Sequence, residues 1–186
     1  MDSKPWQGPL PFPRSYWVVP GQLLAGCYPG DPHPQEAQRK LTGLLDVGIR
    51  HVINLMEPQE KNHEGRPFVP YQESLTHLAQ ERGIPVTCVR FPIRDGNVPS
   101  REGMRAILDD LDQALAEGRP VYVHCWGGRG RTGTVVGCYL ARHGWANGPE
   151  ALAKIRELRC HEPTSALPSP ETAVQREMVC SWKVGE

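Results

Sequence analysis

Ten consecutive residues, His124-Cys125-Trp126-Gly127-Gly128-Arg129-Gly130-Arg131-Thr132-Gly133, bring together a sulfur nucleophile, two guanidinium groups and four glycines. Val121-Tyr122-Val123 leads in with β-forming residues, and an apolar run from Thr134 to Leu140 leads out. The segment therefore reads as strand, glycine-rich loop, helix. Five residues separate Cys125 from Arg131, and three of them are glycine. Without Cβ atoms the backbone can curl until successive N–H groups converge on one point. The helix that follows aims its positive end at the same point. Arg131 can grip an anion with two forked bonds. Together they form a bowl for a tetrahedral dianion, built from the 126–131 backbone with Trp126, Gly127, Gly128, Arg129, Gly130 and Arg131 around it and the Cys125 sulfur at its floor.

The same donors favour thiolate over thiol at Cys125 and place it to attack phosphorus. Thr132 is positioned by sequence to give its hydroxyl to the sulfur and help it leave. An ionised thiol needs no base, so His124 is expected to hold the loop through bonds from its ring nitrogens to backbone. A buried cysteine on a tight turn would leave the joint placement of His, Cys, Gly, Arg and Thr unexplained. A nucleotide P-loop is excluded, because no Gly-Lys-Ser/Thr opens the helix.

Expelling an alkoxide or phenoxide calls for an acid. Asp95, in Phe91-Pro92-Ile93-Arg94-Asp95-Gly96-Asn97, follows a strand-like run, precedes Cys125 by thirty residues and has Gly96 to make its loop mobile. Asp109, Asp110 and Asp112 lie on a helix with its apolar face already assigned. Asp31 and Glu57 are weaker loop candidates.

With its His-Cys, five residues, then Arg-Thr, the segment HCWGGRGRTG resembles the signature of the cysteine-dependent protein phosphatases. Asp95 resembles the acid of their compact dual-specificity and protein-tyrosine branch. The resemblance covers roughly residues 50–160, and more loosely the whole chain. It implies a phosphocysteine intermediate, with Asp95 acting first as acid and then as base, and neither metal nor cofactor. Gln175, in Thr172-Ala173-Val174-Gln175, resembles the late-loop glutamine that orients water in larger relatives. The implied substrates are phosphotyrosine proteins, with phosphoserine and phosphothreonine admitted by a shallow pocket. Arg129, a second cation in the loop, points instead to inositol phosphates or phosphoinositides unless a carboxylate neutralises it. A module that binds phosphate without cleaving it is the third reading. Trp126 fits either a core position or a partner-facing one.

The 186 residues suffice for one core, and a formal net charge of zero gives nucleic acid no support as a partner. No run approaches a membrane span, and residues 1–17 show no apolar signal core. Six scattered cysteines lack metal-type spacing. A reduced, cytoplasmic setting suits a catalytic thiolate. Cys88 and Cys138 are either small buried hydrophobes or partners for an oxidised Cys125.

The elements that must position these residues follow from periodicity. Residues 1–15 form a proline-rich segment, and 16–186 the catalytic domain. Two short strands flank Pro20-Gly21. Helices are expected over about 34–47, 72–82, 131–143, from Pro149 and from Ser169-Pro170. Apolar offsets from Met104 to Leu115, with Ser100 as N-cap, mark the clearest amphipathic helix. Val174, Met178 and Trp182 are expected on the inner side of the last helix, and Asp31 as a cap for the first. Strands alternating with helices imply a single α/β domain, its central, mostly parallel sheet flanked by helices on both faces.

Overall fold

The structure of the protein is a computed structural model that describes residues 8–186; the first part of the proline-rich segment, residues 1–7, lies outside the described residues. Five strands form one sheet: β1 (Ser15–Val19), β2 (Leu23–Gly26), β3 (His51–Asn54), β4 (Thr87–Arg90) and β5 (Val121–His124). Their order is β1-β2-β5-β3-β4. The β1–β2 pair is antiparallel across the Pro20-Gly21 turn, and every other pairing is parallel. The central strand β5 is buried along its length, whereas β4, at the edge, is partly exposed.

Alternation along the strands sends side chains to two cores. Leu24, Val52 and Tyr122 pack with Leu41, Leu44 and Leu45 of α1 (Pro34–Asp46) and with Leu75 and Ala79 of α2 (Gln72–Glu81). Leu23, Ala25, Ile53, Val121 and Val123 face the other way. They meet α3 (Arg101–Ala116), α4 (Arg131–Arg142), α5 (Pro149–Leu158) and α6 (Ala173–Ser181) through Leu108, Val135, Ile155 and Val179. Helices thus cover both faces of a mostly parallel sheet, as expected. Ser100 caps α3 by accepting from the Gly103 N–H. Phe12, at the end of the proline-rich segment, is buried edge-on against Tyr122. No helix among the described residues is long and apolar enough to cross a membrane.

Two local expectations are corrected. Asp31 does not cap α1: His33 is the N-cap residue, and the Asp31 carboxylate instead takes the His33 N–H at 3.0 Å and Lys40 at 2.9 Å. The last helix starts at Ala173 rather than at Ser169-Pro170, capped by Thr172. Its buried face carries Gln175 and Val179, while Val174 is exposed. A capping box between Thr172 and Gln175 fixes the helix phase, and the buried amide is satisfied by it.

Candidate active site

Parallel pairing of β2, β5, β3 and β4 puts the loops that follow these strands at one end of the sheet, where ligands of open α/β folds bind. The 125–130 loop leaves β5 there and runs directly into α4. Gly128 has φ +74°, and a Cβ on it would meet the Gly26 carbonyl carbon at 2.6 Å and the Cys27 nitrogen at 2.7 Å, so only glycine fits. Its N–H points at the Cys125 sulfur, 3.3 Å away. The N–H groups of Gly127, Arg129 and Gly130 donate to no acceptor among the described residues. Cys125 is 2% exposed.

His124 is fully buried between Tyr71 and Tyr122. Burial pushes its imidazole down to about 3, with the Arg90 and Arg131 charges adding to the effect and the Cys125 carbonyl opposing it. The ring is therefore neutral. Nδ1 lies 3.1 Å from the Cys125 carbonyl, which can only accept, so Nδ1 carries the proton. Nε2 then accepts from the Tyr71 hydroxyl at 2.6 Å. The ring holds the start of the loop, as expected, but half of its anchor is a tyrosine side chain.

This neutral histidine has a stability consequence. An unfolded chain protonates His124 near pH 6.5, whereas the folded one does so only near pH 3. Its contribution is therefore complete above pH 6.5 and is lost as pH falls, at about 1.4 kcal/mol per pH unit. Urea unfolding at pH 7, 6 and 5 should show this slope in the wild type and a shallower one in His124→Asn; equal slopes would refute it.

Arg131 is 1% exposed and enters the site from the first turn of α4. Its Nη1 donates to Glu60 Oε2 at 2.6 Å and to the Ile93 carbonyl at 3.0 Å, and its Nη2 donates to Glu60 Oε1 at 2.8 Å. Asp95 Oδ1 lies 3.0 Å from Nη2. Burial disfavours the charged guanidinium, but the Glu60 bonds together with the charges of Cys125, Glu60 and Asp95 more than offset that, so it stays charged. The Nε is buried without a partner. The two carboxylates differ: the Glu60 side chain is 8% exposed and spends both oxygens on Arg131, while Asp95 is 57% exposed at the rim. Glu60 is thus the fixed counter-ion and Asp95 the accessible carboxylate.

Nothing in residue type or spacing marks Glu60. The loop candidate Glu57 has an exposed side chain, and its N–H instead steadies Glu60 Oε2 at 3.1 Å. The available signal was the arginine itself, since a buried guanidinium requires a carboxylate partner.

The segment before α6 ties the two loops together. Glu171 pairs with Arg129, so the loop's second cation is neutralised and does not stand free for phosphate. Ser169 Oγ donates to the Arg129 carbonyl at 2.8 Å. Thr172 Oγ1 donates to the Gly96 carbonyl at 3.0 Å, and Gln175 Nε2 to the Asn97 carbonyl at 3.2 Å. Gln175 Oε1 accepts from the N–H groups of Glu171 and Thr172. Both ends of this amide are occupied, so in this structure Gln175 clamps the loop that carries Asp95 rather than offering itself to water. The Thr132 hydroxyl points to the Gly26 carbonyl, 3.5 Å away, not to the sulfur.

Trp126 is partly buried and packs between His63, tilted, and Phe68, edge-on, with centroids at 4.4 and 5.4 Å. Gly127 gives its carbonyl to Arg14 at 2.8 Å. Burial pushes the thiol of the half-buried Cys88 up to about 11 and that of the fully buried Cys138 higher still.

Residues 13–181 match the family described as "PTP-SAK: Swiss Army Knife protein, DSP-PTPase phosphatase domain". The mouse dual specificity protein phosphatase CDC14B is 25% identical over 173 residues, covering 91% of this chain and 32% of that protein. The putative tyrosine phosphatase 067L of Invertebrate iridescent virus 3 is 30% identical over 132 residues, covering 69% of this chain and 46% of that protein. The chain thus spans less than half the length of either relative. The crystal structure of Tk-PTP in the active form superposes with a TM-score of 0.62 at 24% identity, over 90% of this chain and 95% of that one, a likeness of fold. On the match across 13–181, and with a cysteine loop, a buried arginine and a rim aspartate at one end of the sheet, this chain belongs to the DSP-PTPase domain family, in the compact dual-specificity and protein-tyrosine branch of the cysteine-dependent phosphatases.

Proposed function

We propose that this domain hydrolyses phosphomonoesters on proteins, phosphotyrosine foremost and phosphoserine or phosphothreonine as well, through a phosphocysteine. The observation that carries the reading is Arg131: its buried Nε has no partner, and its Nη2 meets Asp95 beside the loop that holds Cys125. A phosphate in the bowl would satisfy Nε and the free loop N–H groups. Cys125 sulfur attacks phosphorus, an S–P bond forms, and the P–O bond to the leaving group breaks as Asp95 passes its proton to that oxygen. Water then attacks phosphorus and gives its proton to Asp95. The S–P bond breaks, and inorganic phosphate leaves. Arg131 and the loop N–H groups stabilise the charge on the equatorial oxygens at both steps.

The Arg129–Glu171 pair removes the loop cation that favoured inositol phosphates, so protein substrates take precedence. A reducing, cytoplasmic compartment suits the reading, since the described cysteines are all free. The test is hydrolysis of an aryl phosphate, with acid quench and mass spectrometry of the peptide that carries Cys125. Turnover with phosphate trapped on that peptide is the expected result. An inert protein that still binds phosphate or vanadate would leave a binding module instead.

A further inference from the structure

A cavity of about 620 Å³ lies against the outer side of the cysteine loop, within the ~300–1,000 Å³ typical of ligand sites. It is continuous with the loop: Trp126 lines it, the Tyr28 N–H donates to the Trp126 carbonyl at 3.0 Å, and Arg14 donates to Gly127. Among the described residues four cations line it, Arg14, Arg39, Lys40 and Arg66, against one acid, Asp31, which Lys40 already holds. On a chain of zero net charge this is a local excess. Arg14 has no ion-pair partner among the described residues, and its Nε is buried without a hydrogen bond. Arg39 and Arg66 are exposed and, among the described residues, meet only Glu36 and Glu64, exposed carboxylates of their own segments. Such pairs are worth little, and an incoming anion replaces them at small cost.

The rest of the wall is apolar. Tyr28 and Phe68 pack edge to face at 5.0 Å, and Phe68 packs on Trp126. Prolines 13, 32, 67 and 163 complete it. A ring of hydroxyls would find few uncharged partners here, because Asn62 is the only uncharged amide among the described residues of the lining. A peptide supplies both apolar side chains and carboxylates.

We propose that this cavity recognises an acidic peptide segment flanking the phosphorylated residue of a protein substrate, and so sets substrate preference. The proposal rests on the phosphatase reading above. Its test compares two phosphotyrosine peptides that differ only in glutamate or glutamine at the flanking positions, alongside a plain aryl phosphate. Wild type should favour the acidic peptide by about five- to tenfold in kcat/KM, carried by KM and diminished by added salt. The Arg39→Ala/Arg66→Ala double variant should lose that ratio with aryl phosphate kinetics unchanged. A ratio near one in the wild type, or an undiminished ratio in the double variant, overturns the proposal. An inositol polyphosphate whose binding is lost in the double variant, beside a peptide ratio near one, overturns it in favour of small polyanions. If the wild type turns over nothing, the phosphatase reading falls, and calorimetric Kd values of the two peptides decide the site: a preference lost in the double variant supports it, and equal values refute it.

Discussion

Cys125→Ser is expected to lower turnover of an aryl phosphate by on the order of 10⁴–10⁶-fold, the range seen when an enzyme loses its nucleophile. A serine hydroxyl is not ionised near neutrality, and in the first step Asp95 must hold its proton for the leaving group, so it cannot also take the serine proton. His124, the preceding residue, cannot serve either, because its Nδ1 proton is committed to the Cys125 carbonyl and its Nε2 to Tyr71. The binding half should survive, because Arg131 and the loop N–H groups are untouched and the exchange is nearly isosteric. Vanadate or phosphate affinity by calorimetry should stay within a few-fold of wild type while kcat collapses. Retained turnover would remove Cys125 from the mechanism. Loss of binding together with turnover would mean that the loop had failed to form.

Asp95→Asn has the second-largest expected effect, about 10²- to 10⁴-fold in kcat, the usual share of a positioned acid. The loss should depend on the leaving group. An alkyl phosphate, whose alkoxide is a poor leaving group, should suffer most, while an activated nitrophenyl ester departs without a proton and should suffer least. A plot of log kcat against leaving-group pKa should therefore be nearly flat in the wild type and steep in the variant. Parallel plots would mean that Asp95 merely shapes the site through its contact with Arg131. Glu60 is the control, since it holds both guanidinium nitrogens from a buried position and has no oxygen free for a leaving group.

The sequence by itself determined the parts whose chemistry is local. The strand, glycine turn and helix around Cys125 are contiguous, so residue type and spacing suffice to describe the bowl. The Ser100 cap and the apolar stripe of α3 are equally short in range. Alternating strands and helices gave the layered fold. Asp95 was legible for a mixed reason: its place after a strand is local, but its approach to Arg131 needs β3 seated between β4 and β5.

Tertiary structure decided what depends on partners distant in sequence. Arg129 looks like a free cation until Glu171, from the segment before α6, neutralises it. Gln175 sits on a helix whose apolar pattern favoured Val174 and Met178, yet its amide is buried because the cap and the Asn97 carbonyl satisfy it. The fixed counter-ion of Arg131 comes from a polar loop in which Glu57, Glu60 and Glu64 are indistinguishable by type. Periodicity reports which face of an element is apolar. It does not report which buried polar groups meet, because that pairing is fixed only when the strands register and the loops at one end of the sheet converge.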